Sequence, residues 1–192
     1  MGITTDNFFE KIYSVIFSPK AFFEKENENI SLRVAAGTVV IVTLLYQFAL
    51  GIFDGSILNV TFIFTLTMNV LSALVMWFFT ALFFEYIAKI FGNENKFQKM
   101  LYYSAFASVP YIFFAPLNLF KKMGEFGYVL ASDIQFLLYL WIIILYVFAV
   151  RAAYNISLSR AVMLIILPFI SVVFAIYWLV CFLSKMGYIF SV

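Results

Sequence analysis

The 192-residue chain contains no histidine and a single cysteine, Cys181, and these two shortages exclude several kinds of chemistry. Without histidine there is no Ser-His-Asp triad and no zinc-protease motif. A lone thiol cannot form an intrachain disulfide, and the usual zinc and copper ligands are missing. The sequence also lacks a glycine-rich phosphate loop and a serine flanked by glycines at nucleophile-elbow spacing. We therefore expect no metal, no other cofactor and no catalytic residue.

Charged residues are also scarce, at 11% of the chain against 65% hydrophobic residues and a mean hydropathy of +1.03. A water-soluble domain needs roughly a quarter to a third of its surface residues to be charged, so lipid is expected to surround most of this chain. The net charge is only +2 and the basic residues are scattered, so nucleic acid is not an expected partner. The first thirty or so residues lack the uninterrupted apolar core of a signal peptide, so we expect the N-terminus to be retained.

Long apolar runs predict an all-α, polytopic membrane bundle. Each of four runs supplies the ~20 apolar residues that a hydrocarbon layer ~30 Å thick requires, at 31–53, 97–120, 132–154 and 160–183. The run at 57–91 would reach roughly 52 Å as one helix, so it must tilt, break or protrude. Its polar first third favours an interfacial or bundle-lining position for that part. We expect about five transmembrane helices within a single domain, 31–192.

Residues 1–30 predict two short amphipathic helices ahead of the spans. The first, over 7–17, has Asn7 as a candidate cap, followed by apolar residues at helical spacing. The second begins with Ser18 as a cap and Pro19 at the first helical position. Two placements remain open: at the membrane interface, or packed as a cap on the cytoplasmic end of the bundle.

Basic residues predict the orientation of the bundle. Cytoplasmic loops of membrane proteins carry the excess of Lys and Arg, and a cytoplasmic N-terminus puts most of the twelve basic residues on the inner side. The inner set is Lys11, Lys20, Lys25, Arg33, Lys89, Lys96, Lys99, Arg151 and Arg160, and the outer set is Lys121, Lys122 and Lys185. We therefore expect the N-terminus in the cytoplasm and the C-terminus outside.

Polar residues within the second span form a candidate intramembrane site. Helical spacing aligns Thr65, Asn69, Ser72, Met76 and Thr80 on one face, which we expect to point into the bundle. Such a face serves as interhelical hydrogen-bonding surface or, as the less favoured alternative, lines a ligand or lipid path.

Glu85 is the only carboxylate that we place inside a span, and Lys89 lies one helical turn further on. We favour a neutralised acid near the inner interface over a proton or cation site, because no polar chain continues from it across the membrane.

The remaining candidates concern helix packing and lipid head groups. Small residues at Ser104 and Ser108 predict close helix contact in the third span. The prolines Pro110, Pro116 and Pro168 invite kinks, because each removes a backbone N–H from its helix. Two basic residues, Arg151 and Arg160, bracket the loop before the last span, where they either contact anionic lipid head groups or simply set the topology.

Three stretches of the chain follow the pattern of one membrane-protein family. They are residues 17–23; Gly92, Phe97 and 105–110; and Trp141 with 151–160. The first is a hydrophobic-Pro-x-x-Phe element before the first span, the second a glycine-containing loop followed by a small-aromatic-Ala-Ser-x-Pro segment, and the third a tryptophan-containing helix followed by a basic loop. In these features the chain resembles the Yip-type proteins, the Ypt/Rab-interacting family also called YIPF.

The resemblance implies five spans with the N-terminus inside, and it guides the functional expectation. We expect a noncatalytic protein of a prokaryotic plasma membrane that organises lipid or scaffolds a membrane complex. Its partners would be membrane lipids, other membrane proteins or further copies of itself. Eukaryotic relatives use a long N-terminal region for trafficking partners, and about thirty residues precede the first span here, so a Rab-type GTPase is the least supported partner.

Two other functions stay open at this stage. The first alternative is a transporter, channel or lipid scramblase with a path along the second, third and fifth spans. An intramembrane enzyme ranks third, since the chain offers few catalytic groups.

Overall fold

A computed structural model describes residues 5–25, 30–57, 59–92, 94 and 96–190. Within these ranges the regular elements are α-helices and one 3₁₀ segment, with no strand. In chain order they are α1 (Thr5–Phe17), α2 (Pro19–Lys25), α3 (Leu32–Asp54), α4 (Val60–Ile90), α5 (Phe97–Ala107), the 3₁₀ segment (Val109–Phe113), α6 (Phe114–Phe120), α7 (Glu125–Tyr154) and α8 (Leu158–Phe190).

Five helical stretches are long and apolar enough to cross a membrane, which confirms the predicted all-α bundle of about five spans. They are Leu32–Ile52, Val60–Ile90, Phe97–Phe120, Glu125–Tyr154 and Leu158–Phe182, the first to fifth spans below. Successive spans run in opposite directions, so Arg33, Lys89, Lys96, Arg151 and Arg160 gather at one end of the bundle. We call this the basic end.

The long second apolar run forms one unbroken helix of 31 residues, α4. At 1.5 Å per residue it extends roughly 46 Å, so it tilts or protrudes rather than breaking. The fourth span begins earlier than predicted, at Glu125. Gly124, with φ at 93°, turns the chain into the helix there, and the Glu125 carboxylate favours the positive end of the helix dipole.

The third span is the centre of the bundle. Residues 100–107 are all buried, and α3, α4 and α7 each pack against α5. The two N-terminal helices cover part of what remains: the Phe22 ring lies 5.0 Å from that of Phe106, and the Phe23 ring 5.5 Å from that of Tyr103. By contrast, among the described residues α8 packs closely only against α7 and α4, and most of its described side chains are exposed toward lipid.

The N-terminal helices form as predicted, with Pro19 opening α2. However, α1 begins at Thr5, so the prediction that Asn7 caps it is wrong. Neither predicted placement, at the membrane interface or as a cap on the bundle, fully describes α1 and α2. Val15 of α1 is completely buried against the bundle, whereas an aromatic face on the opposite side is more than 60% exposed. That exposed face consists of Phe9, Tyr13 and Phe17.

The third span is interrupted at its middle by the 3₁₀ segment. Pro110 lies in the first turn of that segment and supplies no N–H, and the Ser108 hydroxyl donates to the Ala105 carbonyl (2.7 Å). Pro116 lies in the first turn of α6, where its missing N–H leaves no helical bond unmade, and α8 continues through Pro168. Of the three predicted kinks, only that at Pro110 coincides with a break in the helix.

Packing of α2 on the third span predicts a large stability difference between two phenylalanines. The Phe23→Ala variant removes a ring that is 1% exposed, so the free energy of unfolding should fall by about 3 kcal/mol. Phe17→Ala removes a ring that is 68% exposed and should change it by less than about 0.5 kcal/mol. Denaturant unfolding in mild detergent measures both; equal losses would contradict the packing of α2.

Candidate functional site

A cavity of about 440 Å³ lies inside the membrane part of the bundle, between α3, α4, the broken third span and α7. Its lining consists of Val39, Val42, Thr43, Tyr46, Ala73, Met76, Trp77, Thr80, Ser108, Tyr111, Phe114, Tyr139 and Tyr146. The volume falls within the range of small-molecule sites in proteins. The break in the third span borders the cavity, as expected for irregular backbone at membrane depth.

Several polar groups of the lining are already hydrogen-bonded within the protein. The hydroxyls of Thr43 and Thr80 donate to carbonyls one turn earlier in their own helices (2.8 and 2.7 Å). The indole N–H of Trp77 crosses from α4 to α5, where it donates to the Leu101 carbonyl (2.9 Å) and the Ser104 hydroxyl (3.1 Å). The Trp77 bonds therefore join α4 to α5, while the threonine bonds stay within single helices, so none of these groups has a free donor for a ligand.

Three tyrosines give the cavity its free polar groups. The hydroxyls of Tyr111, Tyr139 and Tyr146 make no hydrogen bond to any residue that the structure describes. Tyr111 and Tyr139 are 42% and 51% exposed, so the cavity is open at its side. A hydroxyl without a partner is costly in hydrocarbon, so these three groups favour a bound molecule or water that accepts their hydrogen bonds.

At the end of the bundle opposite the basic end, three side chains join three segments. The Gln135 amide of α7 donates to the Asn118 oxygen of α6 (2.8 Å), and the Asn118 amide donates to the Tyr46 hydroxyl of α3 (3.3 Å). Gln135 is 9% exposed, so its amide is removed from lipid. This network closes one side of the cavity, because Tyr46 also lines it.

Glu85 holds the basic end together. The hydroxyl of Tyr154 in α7 donates to its Oε2 (2.7 Å), the Lys96 backbone N–H approaches the same atom (3.4 Å), and Lys89 Nζ lies 3.8 Å from Oε1. The carboxylate is 4% exposed, and Oε1 accepts no hydrogen bond from the described residues. In the adjoining loop a hydrogen bond from Lys96, together with its charge, lowers the pKa of the exposed Glu94 carboxyl.

The predicted polar face of α4 is only partly turned inward. Thr65 and Ser72 are exposed, and the Thr65 hydroxyl donates to its own helix at the Thr61 carbonyl. Asn69 is half-buried without lining the cavity, which only Thr80 and Met76 of this face reach. The expectation of an inward face is therefore wrong for Thr65 and Ser72. The reason is that α4 buries residues only in its second half, where α5 and α7 meet it.

The other predicted residues are dispersed. Ser104 is fully buried beside Trp77, Ser108 lines the cavity and Pro110 is buried next to it. Pro116 is exposed, and Pro168 belongs to the fifth span, none of whose residues lines the cavity. The second and third spans of the proposed path thus meet at the cavity, whereas the fifth does not.

Arg151 and Arg160 do not share a site. Arg151 pairs with Glu24 of α2 across 3.4 Å, while Arg160 is exposed on α8.

Sequence reasoning missed the residues that border the cavity on α6 and α7. Asn118 and Gln135 carry a usable signal, since each is an amide within an otherwise apolar span. Tyr139 and Tyr146 carry none, because tyrosine is common in membrane helices. On α3 the helix turns Thr43 and Tyr46 toward the cavity, whereas the amide-bearing Gln47 is not part of the lining.

Comparison with known families gives one match. The family model of the Yip1 domain matches residues 13–179, most of the chain and all of the cavity lining. No curated protein and no solved structure matches the chain.

The contact between Glu85 and Tyr154 predicts energetic coupling between α4 and α7. Tyr154→Phe should lower the free energy of unfolding by about 1–2 kcal/mol, because it leaves a buried carboxylate without its shortest hydrogen bond. Tyr86→Phe, at a 68% exposed tyrosine of α4, the helix that carries Glu85, serves as the control. Combining Tyr154→Phe with Glu85→Ala should then cost less than the sum of the two, by at least about 0.5 kcal/mol. Strict additivity would show that the two side chains do not interact.

Proposed function

The chain belongs to the Yip1 family of membrane proteins, and on that premise we propose that it acts without catalysis, by binding membrane lipid in its intramembrane cavity. In doing so it organises the lipid around it or presents that lipid within a membrane complex. The proposed site is the space between α3, α4, the third span and α7.

One observation carries the proposal: the cavity joins an apolar lining to unpartnered hydroxyls and is open at its side. Val39, Val42 and Ala73 supply surface for hydrocarbon. The free hydroxyls of the three tyrosines match acceptor oxygens at the ester region of a lipid. None of the lining residues is charged, which favours an acyl chain and its ester over a charged head group.

The chemistry of the lining also supports a noncatalytic role. Its side chains are aliphatic, aromatic or hydroxyl groups with one thioether. The buried carboxylate of Glu85 contacts Tyr154 of α7 and the Lys96 backbone instead of facing the cavity. The described lining contains no carboxylate, lysine or cysteine, so the tyrosine hydroxyls are its only groups able to exchange a proton.

We place the protein in a prokaryotic plasma membrane, with the basic end toward the cytoplasm. The excess of Lys and Arg at that end supports this orientation. The exposed surface of α8 suits contact with other membrane proteins or a further copy of the chain, which fits a scaffolding role.

Transport or lipid scrambling is the second candidate, favoured by one further arrangement. Polar groups recur along the bundle, from Gln135 and Asn118 through the cavity hydroxyls to Glu85 and Tyr154 at the basic end. The break in the third span borders the middle of this series, as discontinuous helices do in many transporters.

Lipid binding predicts that filling the cavity removes bound lipid. Ala73→Trp places a bulky ring in the lining, so the number of phospholipid molecules retained after purification should fall by at least half. Ala175→Trp adds the same ring on the exposed surface of α8 and should leave retention unchanged. Native mass spectrometry counts the retained lipids. If both variants retain as much lipid as the wild type, the cavity is not the binding site.

The rate at which lipid moves between leaflets distinguishes lipid binding from lipid scrambling. A lipid-binding protein reconstituted into liposomes should move labelled phospholipid between leaflets no faster than protein-free vesicles. Fast exchange in the wild type that Ala73→Trp abolishes and Ala175→Trp preserves would replace the leading proposal with scrambling through the same cavity. A dithionite quenching assay on fluorescent lipid measures the exchange.

A further inference from the structure

A second cavity, of about 260 Å³, lies at the basic end between α2 and the last turn of α7. It is separate from the intramembrane cavity and shares none of its lining residues. Its polar lining consists of Lys20 and Glu24 from α2 and Arg151 and Asn155 from the end of α7. Phe23, which anchors α2 on the third span, forms part of the apolar wall.

Among the described residues that line this cavity, cations outnumber carboxylates. The two cations are Lys20 and Arg151, and the one carboxylate is Glu24. The closest approach between Arg151 and Glu24 is 3.4 Å, well beyond the ~2.7–2.9 Å of a strong charge-assisted hydrogen bond. The exposed Lys20 ammonium makes no ion pair with the described residues. The described lining therefore carries one more positive than negative charge and has guanidinium donors that its ion pair with Glu24 does not use.

Asn155, just after the last turn of α7, contributes a further polar group to the cavity. Asn155 adopts a left-handed conformation, with φ at 55°, and both its N–H and that of Ile156 are directed to the Arg151 carbonyl. These two bonds fix the turn, and Asn155 itself lines the cavity. An amide beside two cations is a suitable donor to an anion.

We propose that this cavity binds a phosphate group through Lys20, Arg151 and the Asn155 amide, with Glu24 as an internal anion that competes for the same cations. The planar guanidinium fork matches two phosphate oxygens, and the ammonium contributes a second charge. The affinity for phosphate is modest, because the phosphate must displace part of the contact between Glu24 and Arg151. The proposal is independent of the lipid proposed for the intramembrane cavity.

The phosphate group can come from two sources, the head group of an anionic phospholipid or a soluble phosphate. Purified protein is therefore measured in two arms. In the first, native mass spectrometry compares binding of phosphatidylglycerol with that of phosphatidylcholine, whose head group has no net charge. In the second, inorganic phosphate is titrated calorimetrically against the same preparation in phosphatidylcholine nanodiscs.

The variants separate a built site from general surface charge. Lys20→Gln and Arg151→Gln should each weaken binding about tenfold, the equivalent of one charge-assisted contact, and Glu24→Gln should strengthen it several-fold. Arg160→Gln removes the same charge at the same end of the bundle but lies outside the cavity, so it should change binding less than about twofold. Since Arg151 also contacts α2, the Lys20 and Glu24 variants keep the test valid if Arg151→Gln fails to fold.

Each outcome has a definite meaning. The expected order of variants in the phospholipid arm supports a head-group site, and the same order in the inorganic phosphate arm alone supports a soluble phosphate. Equal losses for Lys20→Gln and Arg160→Gln would overturn the proposal in favour of nonspecific attraction. Weaker or unchanged binding in Glu24→Gln would refute the role of that carboxylate as a competitor, and absence of binding in both arms would refute the site.

Discussion

The absence of water from the bilayer interior governs how this chain is arranged. A backbone N–H or C=O without a partner is costly there, so an interrupted helix is tolerated only where protein surrounds it or where it borders a cavity. The third span meets both conditions. Its first half is enclosed by α3, α4, α7 and the N-terminal helices, and its 3₁₀ segment adjoins the intramembrane cavity. The position of the break at the bundle centre thus determines where a site is available.

Hydrophobicity and length were sufficient to predict the class of fold, because five runs of this apolarity have no stable alternative to spanning helices. The short helices before the first span followed from apolar spacing and from Pro19. The periodicity of a sequence does not show which other helices each helix packs against. Thr65 and Thr80 lie on the same face of α4, yet only Thr80 reaches the cavity, since the packing partners of α4 cover its second half alone.

The candidate site was harder to predict for a related reason. Its free polar groups are tyrosine hydroxyls from α7 and the broken third span. In the sequence, an isolated tyrosine within an apolar run looks the same whether it faces lipid or a neighbouring helix. Amides are more informative, because their desolvation demands a partner, as the contact between Gln135 and Asn118 illustrates. Glu85 was recognised as unusual from its charge, but its tie to Tyr154 depends on a helix 69 positions away in the chain.

The packing of α2 on the third span has a consequence for biogenesis. The ribosome delivers α1 and α2 first, yet Phe22 and Phe23 pack against Phe106 and Tyr103, which lie far along the chain. Until that later segment has entered the bilayer, the two leading helices have only the lipid surface to shelter their rings. Their final docking is therefore a late event in assembly, and an insertion machinery or chaperone would meet them while they are still undocked.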